Sequence, residues 1–305
     1  MRRGADSGAA AFGRRAGAFL GAAMGWGLFE AGWPRLRELE LSVSGLPAEL
    51  DGLRIVHLSD FHLGVPSRGV HAVERGVAWA AERSPDVVAI TGDLLTHPRG
   101  EPRLRSLVGS LPQPIFAVLG NHDLAIARDP MARKSNLKEL RPARLLKDEG
   151  ELIDLRGKQV WIAGTDPRPV LRRKEKTDPN TLSREADFRI LLSHFPRVFD
   201  RLEPGSFDLV LAGHMHDGQI TIPYPGGKVR LAHPTARYAT GVYRSRAGVM
   251  HVSPGLGTTF VPFRFGARPE ATELVLRSPS APPGNVLRAS ETRSHGALPR
   301  PQSPR

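Results

Sequence analysis

Five times along this chain a short, largely apolar run gives way within two residues to glycine, aspartate or histidine. The runs occupy residues 53–58, 87–90, 115–119, 190–192 and 209–212. None shows strict alternation or a helical period, so each reads as a strand covered on both faces. Val70, Val73, Val77 and Ala81 recur at helical spacing between the first two runs. Strand, polar tip and helix in succession is the pattern of a mostly parallel sheet. Leu39 to Val43 alternates like an edge strand, Val160 to Gly164 reads as a further strand, and strand-like pieces recur at 249–252 and 273–276. A length of 305 residues suffices for one large α/β domain with a substantial core.

What the runs deliver is chemical. The tips carry Asp60 and His62, then Asp93, then Asn121, His122 and Asp123, then His194, then His214 and His216. Open α/β sheets place their reactive groups at the carboxyl ends of strands. In Gly120-Asn121-His122-Asp123 the glycine frees the chain to turn. The three polar residues can supply a metal ligand, a proton donor and a group that orients the donor. Alternate residues on an extended segment point the same way, so Asp60 with His62, and His214 with His216, can each address one ion. With no cysteine, disulfides, thiolate metal sites and cysteine nucleophiles are excluded. Nitrogen and oxygen ligands suit manganese, iron, zinc or nickel. Besides His122 there are seven candidate ligands, too many for one tetrahedral ion, and two ions sharing Asp93 would use them all. Isolated histidines are read as structural, and His57, inside a strand, is expected to hydrogen-bond in the core.

Charge is unevenly placed. Of the net +12, residues 1–37 hold +4 (six Arg against Asp6 and Glu30) and residues 279–305 hold +3 (four Arg against Glu291), leaving 12 − 4 − 3 = +5 for the body. Basic termini suit an anionic membrane surface or nucleic acid. Residues 1–37 are expected to form a signal or membrane-anchor segment: Arg14-Arg15 precedes an uncharged stretch from Ala16 to Phe29 that resembles a twin-arginine export signal but is short for a membrane span. A membrane-associated or exported location is expected, with a cytoplasmic one as the alternative. Residues 38–278 are expected to form the domain and 279–305 a disordered basic tail. Two basic runs, 128–147 with seven Lys or Arg and 168–176 with five, are candidate lids over an anionic substrate.

In order, Asp60-Phe61-His62, Gly92-Asp93, Gly120-Asn121-His122-Asp123, His194 and Gly213-His214-Met215-His216 resemble the motifs of the calcineurin-like metallophosphoesterase superfamily over roughly residues 53–220. The resemblance implies a four-layer α/β/β/α sandwich with two central mixed sheets. It also implies that Asp60, His62, Asp93 and His216 hold one divalent ion while Asp93, Asn121, His194 and His214 hold the other. Manganese is the expected metal, with zinc, iron or magnesium as alternatives. His122 would be the catalytic histidine, steadied by Asp123. Thr96-His97-Pro98 stands where protein serine/threonine phosphatases carry Asp-Arg-Gly, and Thr96 stands where purple acid phosphatases carry a tyrosine ligand, so both branches are disfavoured.

Asp217-Gly218-Gln219-Ile220, Pro254-Gly255-Leu256-Gly257-Thr258 and Arg268-Pro269-Glu270 look like a bacterial branch of membrane-associated or exported phosphoesterases. That branch includes enzymes similar to UDP-2,3-diacylglucosamine pyrophosphatases, and its members usually carry Gly where Asp217 stands. The implied activity is hydrolysis of a phosphodiester or pyrophosphate by a hydroxide bridging two cations, on a substrate that is lipid-linked in part of the branch. A nuclease of the same fold and an inactive binding module are the alternatives. Nucleic acid is not the expected partner, because no base-recognition motif is present, and none of the eight site positions is degenerate.

Overall fold

The computed structural model describes residues 5–126, 128–168 and 178–279, with side chains described from Arg15 onward. A long helix α1 (Ala5–Ala31) leads into β1 (Arg35–Ser42), β2 (Arg54–Leu58), α2 (Gly69–Glu82), β3 (Val87–Thr91), α3 (Glu101–Gly109), β4 (Ile115–Val118) and β5 (Arg144–Leu145). There follow β6 (Glu149–Leu155), β7 (Lys158–Gly164), β8 (Phe188–Ser193), β9 (Leu209–Ala212), the hairpin β10 (Thr221–Tyr224) and β11 (Gly227–Arg230), β12 (Gly241–Ser245), β13 (Gly248–Val252) and β14 (Glu270–Arg277).

Two six-stranded mixed sheets result, ordered β1-β14-β2-β3-β4-β5 and β12-β13-β9-β8-β7-β6. In the first, β14 with β2 is the antiparallel pair; in the second, the two edge pairs β12–β13 and β6–β7 are antiparallel and the rest parallel. The apolar runs are continuous because each strand is covered twice. Ile55, Val87, Ala89 and Phe116 face Val160, Ile190, Leu209 and Leu211 between the sheets. Their neighbours Val56, Val88, Ile90 and Ile115 turn outward under α2 and α3. The second sheet's outer face, with Leu191, Val210 and Met250, packs instead on 3-10 turns at Pro179–Leu182 and Pro196–Arg201 and on Tyr238. Among the described residues, therefore, the helical cover of the second sheet is made of short 3-10 helices, and the layered α/β fold with two central mixed sheets is as the resemblance implied.

The piece at 273–276 belongs to an eight-residue central strand that joins β1 to the rest of the first sheet. His57 bonds within the core: its Nδ1 lies 2.8 Å from Nδ1 of His251, across the two sheets, and its Nε2 lies 2.9 Å from Thr91 Oγ1. At the N-terminus, the Glu30 carboxylate accepts hydrogen bonds from Gly266 N, Ala267 N and Trp26 Nε1, and Arg264 N donates to Gly27 O. No described helix is long and apolar enough to cross a membrane. The tail from residue 280, and the second basic run apart from Arg168, lie outside the described residues.

Candidate metal centre

The parallel strands of both sheets end together, so the five polar tips converge. Asp60, His62 and His216 bring one ligand atom each within 4.8 Å of one another; so do Asp93, His194 and His214, and so do His62, Asp93 and His122. His62 Nε2 lies 3.0 Å from His216 Nε2 and 3.6 Å from Asp93 Oδ2. His216 Nε2 lies 3.3 Å from Asp60 Oδ1. His194 Nε2 lies 3.2 Å from Asp93 Oδ2, 3.1 Å from Asn121 Oδ1 and 3.1 Å from His214 Nδ1. Ligands about 2.1 Å from one ion stand ~3.4 Å apart in a tetrahedron, so these separations fit a cation at each cluster. The donor set of imidazole nitrogens, carboxylates and one amide oxygen is right for a divalent transition metal.

Backbone geometry makes the convergence, and it is not extended. Asp60, His62, Asp93, His214 and His216 all have positive φ, between 48° and 73°. Non-glycine residues held in this region concentrate at functional sites. Asp60 and His62 fall in one cluster, as alternate residues of an extended chain were expected to, but through left-handed turns, whereas His214 and His216 do not. Those two side chains go to different clusters, because left-handed turns replace the extended chain that the alternation assumed. Close approach also demands glycine: a Cβ on Gly120 would collide with the Asp93 carboxylate, and one on Gly213 with Ser59 Oγ and Asp60.

A second tier fixes the ring orientations. His194 Nδ1 donates to Thr91 O at 2.9 Å, which in the neutral ring leaves the Nε2 lone pair free for a cation. His62 Nδ1 lies 3.0 Å from Thr96 Oγ1, the residue at the disfavoured tyrosine position. His216 Nδ1 lies 3.0 Å from the guanidinium of Arg264, a fully buried side chain whose other donors reach the carbonyls of Pro254, Gly255, Gly257 and Ala267. Burial pushes the Arg264 guanidinium down to about 10. It also holds His214 near 3 and lowers His216 and His62. Burial opposes ionisation of Asp93 and Asp60 too, but the neighbouring His194 and His216 outweigh it and hold both carboxylates well below the usual range. The same pairing with Asp93 outweighs burial at His194 and raises it to about 9.

Among the described residues no hydrogen bond joins the Asp123 carboxylate to the imidazole of His122. That carboxylate turns into the loop and accepts from the backbone N–H groups of Gly120 (2.8 Å), Leu95 (2.8 Å) and Leu94 (3.2 Å), so it braces the glycine turn. Burial and then the nearby Asp93 push Asp123 up to about 7. Asp129 Oδ2 lies 3.9 Å from His122 Nδ1. Asp129 also accepts from Phe260 N, while Thr259 Oγ1 sits 3.2 Å from His122 Nε2. His122 Nδ1 is buried and has no hydrogen-bond partner among the described residues. Asp129, Thr259 and Arg264 carried no signal in the sequence: Asp129 sits inside a basic run, and the others lie in loops without periodicity. Asp217, the departure from the branch pattern, points away from the centre and pairs with Lys228 and Arg230 of the β10–β11 hairpin.

A family model described as calcineurin-like phosphoesterase matches residues 53–218. An uncharacterized metallophosphoesterase of Bacillus subtilis (strain 168), YkoQ, is 30% identical over 234 residues, which cover 75% of this chain and 84% of that protein. A Danio rerio transmembrane protein with metallophosphoesterase domain is 32% identical over 262 residues, covering 80% of this chain and 57% of that protein. The UDP-2,3-diacylglucosamine pyrophosphatase LpxG of Chlamydia trachomatis serovar D is 28% identical over 225 residues, covering 58% of this chain and 68% of that one.

Proposed function

The chain belongs to the calcineurin-like phosphoesterase family and is a metal-dependent phosphoric ester hydrolase; on that premise we propose that it cleaves a phosphodiester or pyrophosphate bond at a two-cation centre. The observation that carries the reading is that Asp93 Oδ2 stands between the two clusters, 3.6 Å from His62 Nε2 of one and 3.2 Å from His194 Nε2 of the other. In this reading Asp60, His62, Asp93 and His216 hold one divalent ion, and Asp93, Asn121, His194 and His214 hold the other. Two such ions, manganese before zinc, iron or magnesium, would supply Lewis-acid charge for the phosphoryl oxygens and a water acidic enough to ionise at neutral pH.

The chain's own residues do the rest. Thr259 holds the His122 ring at Nε2, and the unpartnered Nδ1 is the atom that carries a proton to the departing oxygen. General acid help of this kind is worth roughly 10²- to 10⁴-fold. Asp129 is buried beside the same nitrogen, with Oδ2 3.9 Å away. Asp123 keeps the loop in place. The lipid-linked pyrophosphate named for the LpxG relative, and the membrane named for the Danio rerio one, support a substrate and a location at a lipid surface.

The test is hydrolysis of bis-p-nitrophenyl phosphate and p-nitrophenyl phosphate by metal-stripped protein, with Mn²⁺, Zn²⁺, Fe²⁺ or Mg²⁺ restored singly. Metal-dependent diester cleavage that His122→Ala and Asp93→Asn both abolish is the expected result. A protein that binds no metal, or cleaves equally well without it, overturns the proposal.

A further inference from the structure

Several exposed apolar side chains stand on segments that hydrogen bonds link into one strip. The β10–β11 hairpin belongs to neither six-stranded sheet. Its register pairs Ile222 with Val229, so Ile222, Tyr224, Val229 and Leu231 share a face, while Lys228 and Arg230 turn the other way to Asp217. Ile222 is 54% exposed and Tyr224 55%. A two-stranded hairpin is marginal in water without something covering its apolar face.

The hairpin is stitched to the rest of the strip. Thr221 N donates to Phe265 O at 2.7 Å, Gln219 Nε2 donates to the carbonyls of Thr259 and Val261, and Gly266 N reaches Glu30 at the foot of α1. Within that strip Phe260 adopts φ 59° and leaves 56% of its surface exposed, with its ring 6.2 Å from that of His122. The loop that anchors Phe260 through Asp129 exposes Met131 between Arg128, Arg133 and Lys134. At the other end, α1 runs uncharged from Ala16 to Phe29. There Trp33 stacks its ring 5.3 Å from Phe29 and under the Arg268 guanidinium.

Apolar and aromatic side chains interleaved with arginines are what a lipid headgroup layer accepts. A symmetric second copy fits less well, because it would set the cations of Arg128, Arg133 and Lys134 against their own kind. We propose that the β10–β11 hairpin and the Phe260 loop form a docking face that seats the metal centre against an anionic lipid monolayer. The centre then meets phosphoesters at headgroup depth. That consequence rests on the phosphoesterase reading; the docking itself does not.

The chain has no cysteine, so single labels are clean. Tyr224→Cys and, on the exposed edge strand β6, Leu152→Cys are each labelled with an environment-sensitive dye in the full chain and mixed with phosphatidylcholine vesicles, with or without about 30 mol % phosphatidylglycerol. The expected result is a blue shift and protection from an aqueous quencher at Tyr224→Cys only, with anionic vesicles only. Ile222→Ser/Val229→Ser should weaken vesicle sedimentation about tenfold while bis-p-nitrophenyl phosphate hydrolysis and the melting temperature hold. A Tyr224→Cys label that stays wet while the protein sediments, sedimentation unaffected by the double variant, no sedimentation at all, or a concentration-dependent shift without vesicles overturns the proposal; the last would assign the face to a second copy. Vesicle docking without diester cleavage would overturn the phosphoesterase reading alone.

Discussion

The two halves of the metal centre are built differently. In the half with Asp60, His62 and His216 every ligand is buried and braced by a side chain: Ser59 Oγ donates to Asp60 at 2.5 Å, Thr96 meets His62, and Arg264 meets His216. In the half with His194 and His214, the brace is the backbone carbonyl of Thr91, and His214 is only half-buried, against Phe195 and His233. The first half is set by side chains that substitution can remove. The second is set by the main chain and by Asp93, and it is the half open to solvent.

The strongest way to break this comparison is to remove what the halves share. Asp93→Asn should lower diester hydrolysis by roughly 10³-fold or more and cut bound metal from two ions per chain to fewer than one, read by elemental analysis. Two retained ions would show that the halves are independent. Thr96→Val should sharpen the comparison by weakening one ion about 10- to 100-fold in a chelator competition and leaving the other unchanged. Equal weakening of both would mean that the brace on His62 reaches across the centre. Asp129→Asn should reduce kcat by about tenfold, less than the loss of the general acid itself would cost, with KM and metal content constant; a loss of metal would place Asp129 among the braces.

The last contrast lies outside the centre, in two histidines whose hydrogen bonds go to each other and to Thr91. His57 and His251 face each other between the sheets; burial holds His57 near 3, and burial followed by His57 holds His251 well below the ordinary value. The unfolded chain takes up protons at these rings below about 6.5 and the folded one does not, so their contribution is complete above that pH and is lost as pH falls from 6.5 towards 3. Urea unfolding of the metal-free protein should lose about 1.4 kcal/mol per pH unit for each such ring. The double variant His57→Leu/His251→Leu should flatten that slope, and an unchanged slope would assign it to the centre instead.

Much of this was legible in the residues. The apolar runs announced doubly covered strands because burial on both faces erases alternation, and the tips announced metal chemistry because five strand ends carried nitrogen and oxygen ligands at once. Phe260, Met131 and the hairpin could not be read, because an exposed apolar residue in a loop looks like any other until its neighbours are known. Asp129 was hidden for the same reason: nothing local distinguishes it from the solvated acids of a basic segment.

By itself, then, the sequence determined the strand-and-tip order and the residues that meet at the tips, since both follow from local hydrophobicity and side-chain chemistry. The tertiary structure alone decided how they meet. Asp60 N donates to Gly92 O and His62 N to Asp93 O, at 3.0 and 2.9 Å. Such bonds between distant segments hold the tips in left-handed turns, part His214 from His216, and turn Asp123 to the backbone while Asp129 reaches the ring of His122.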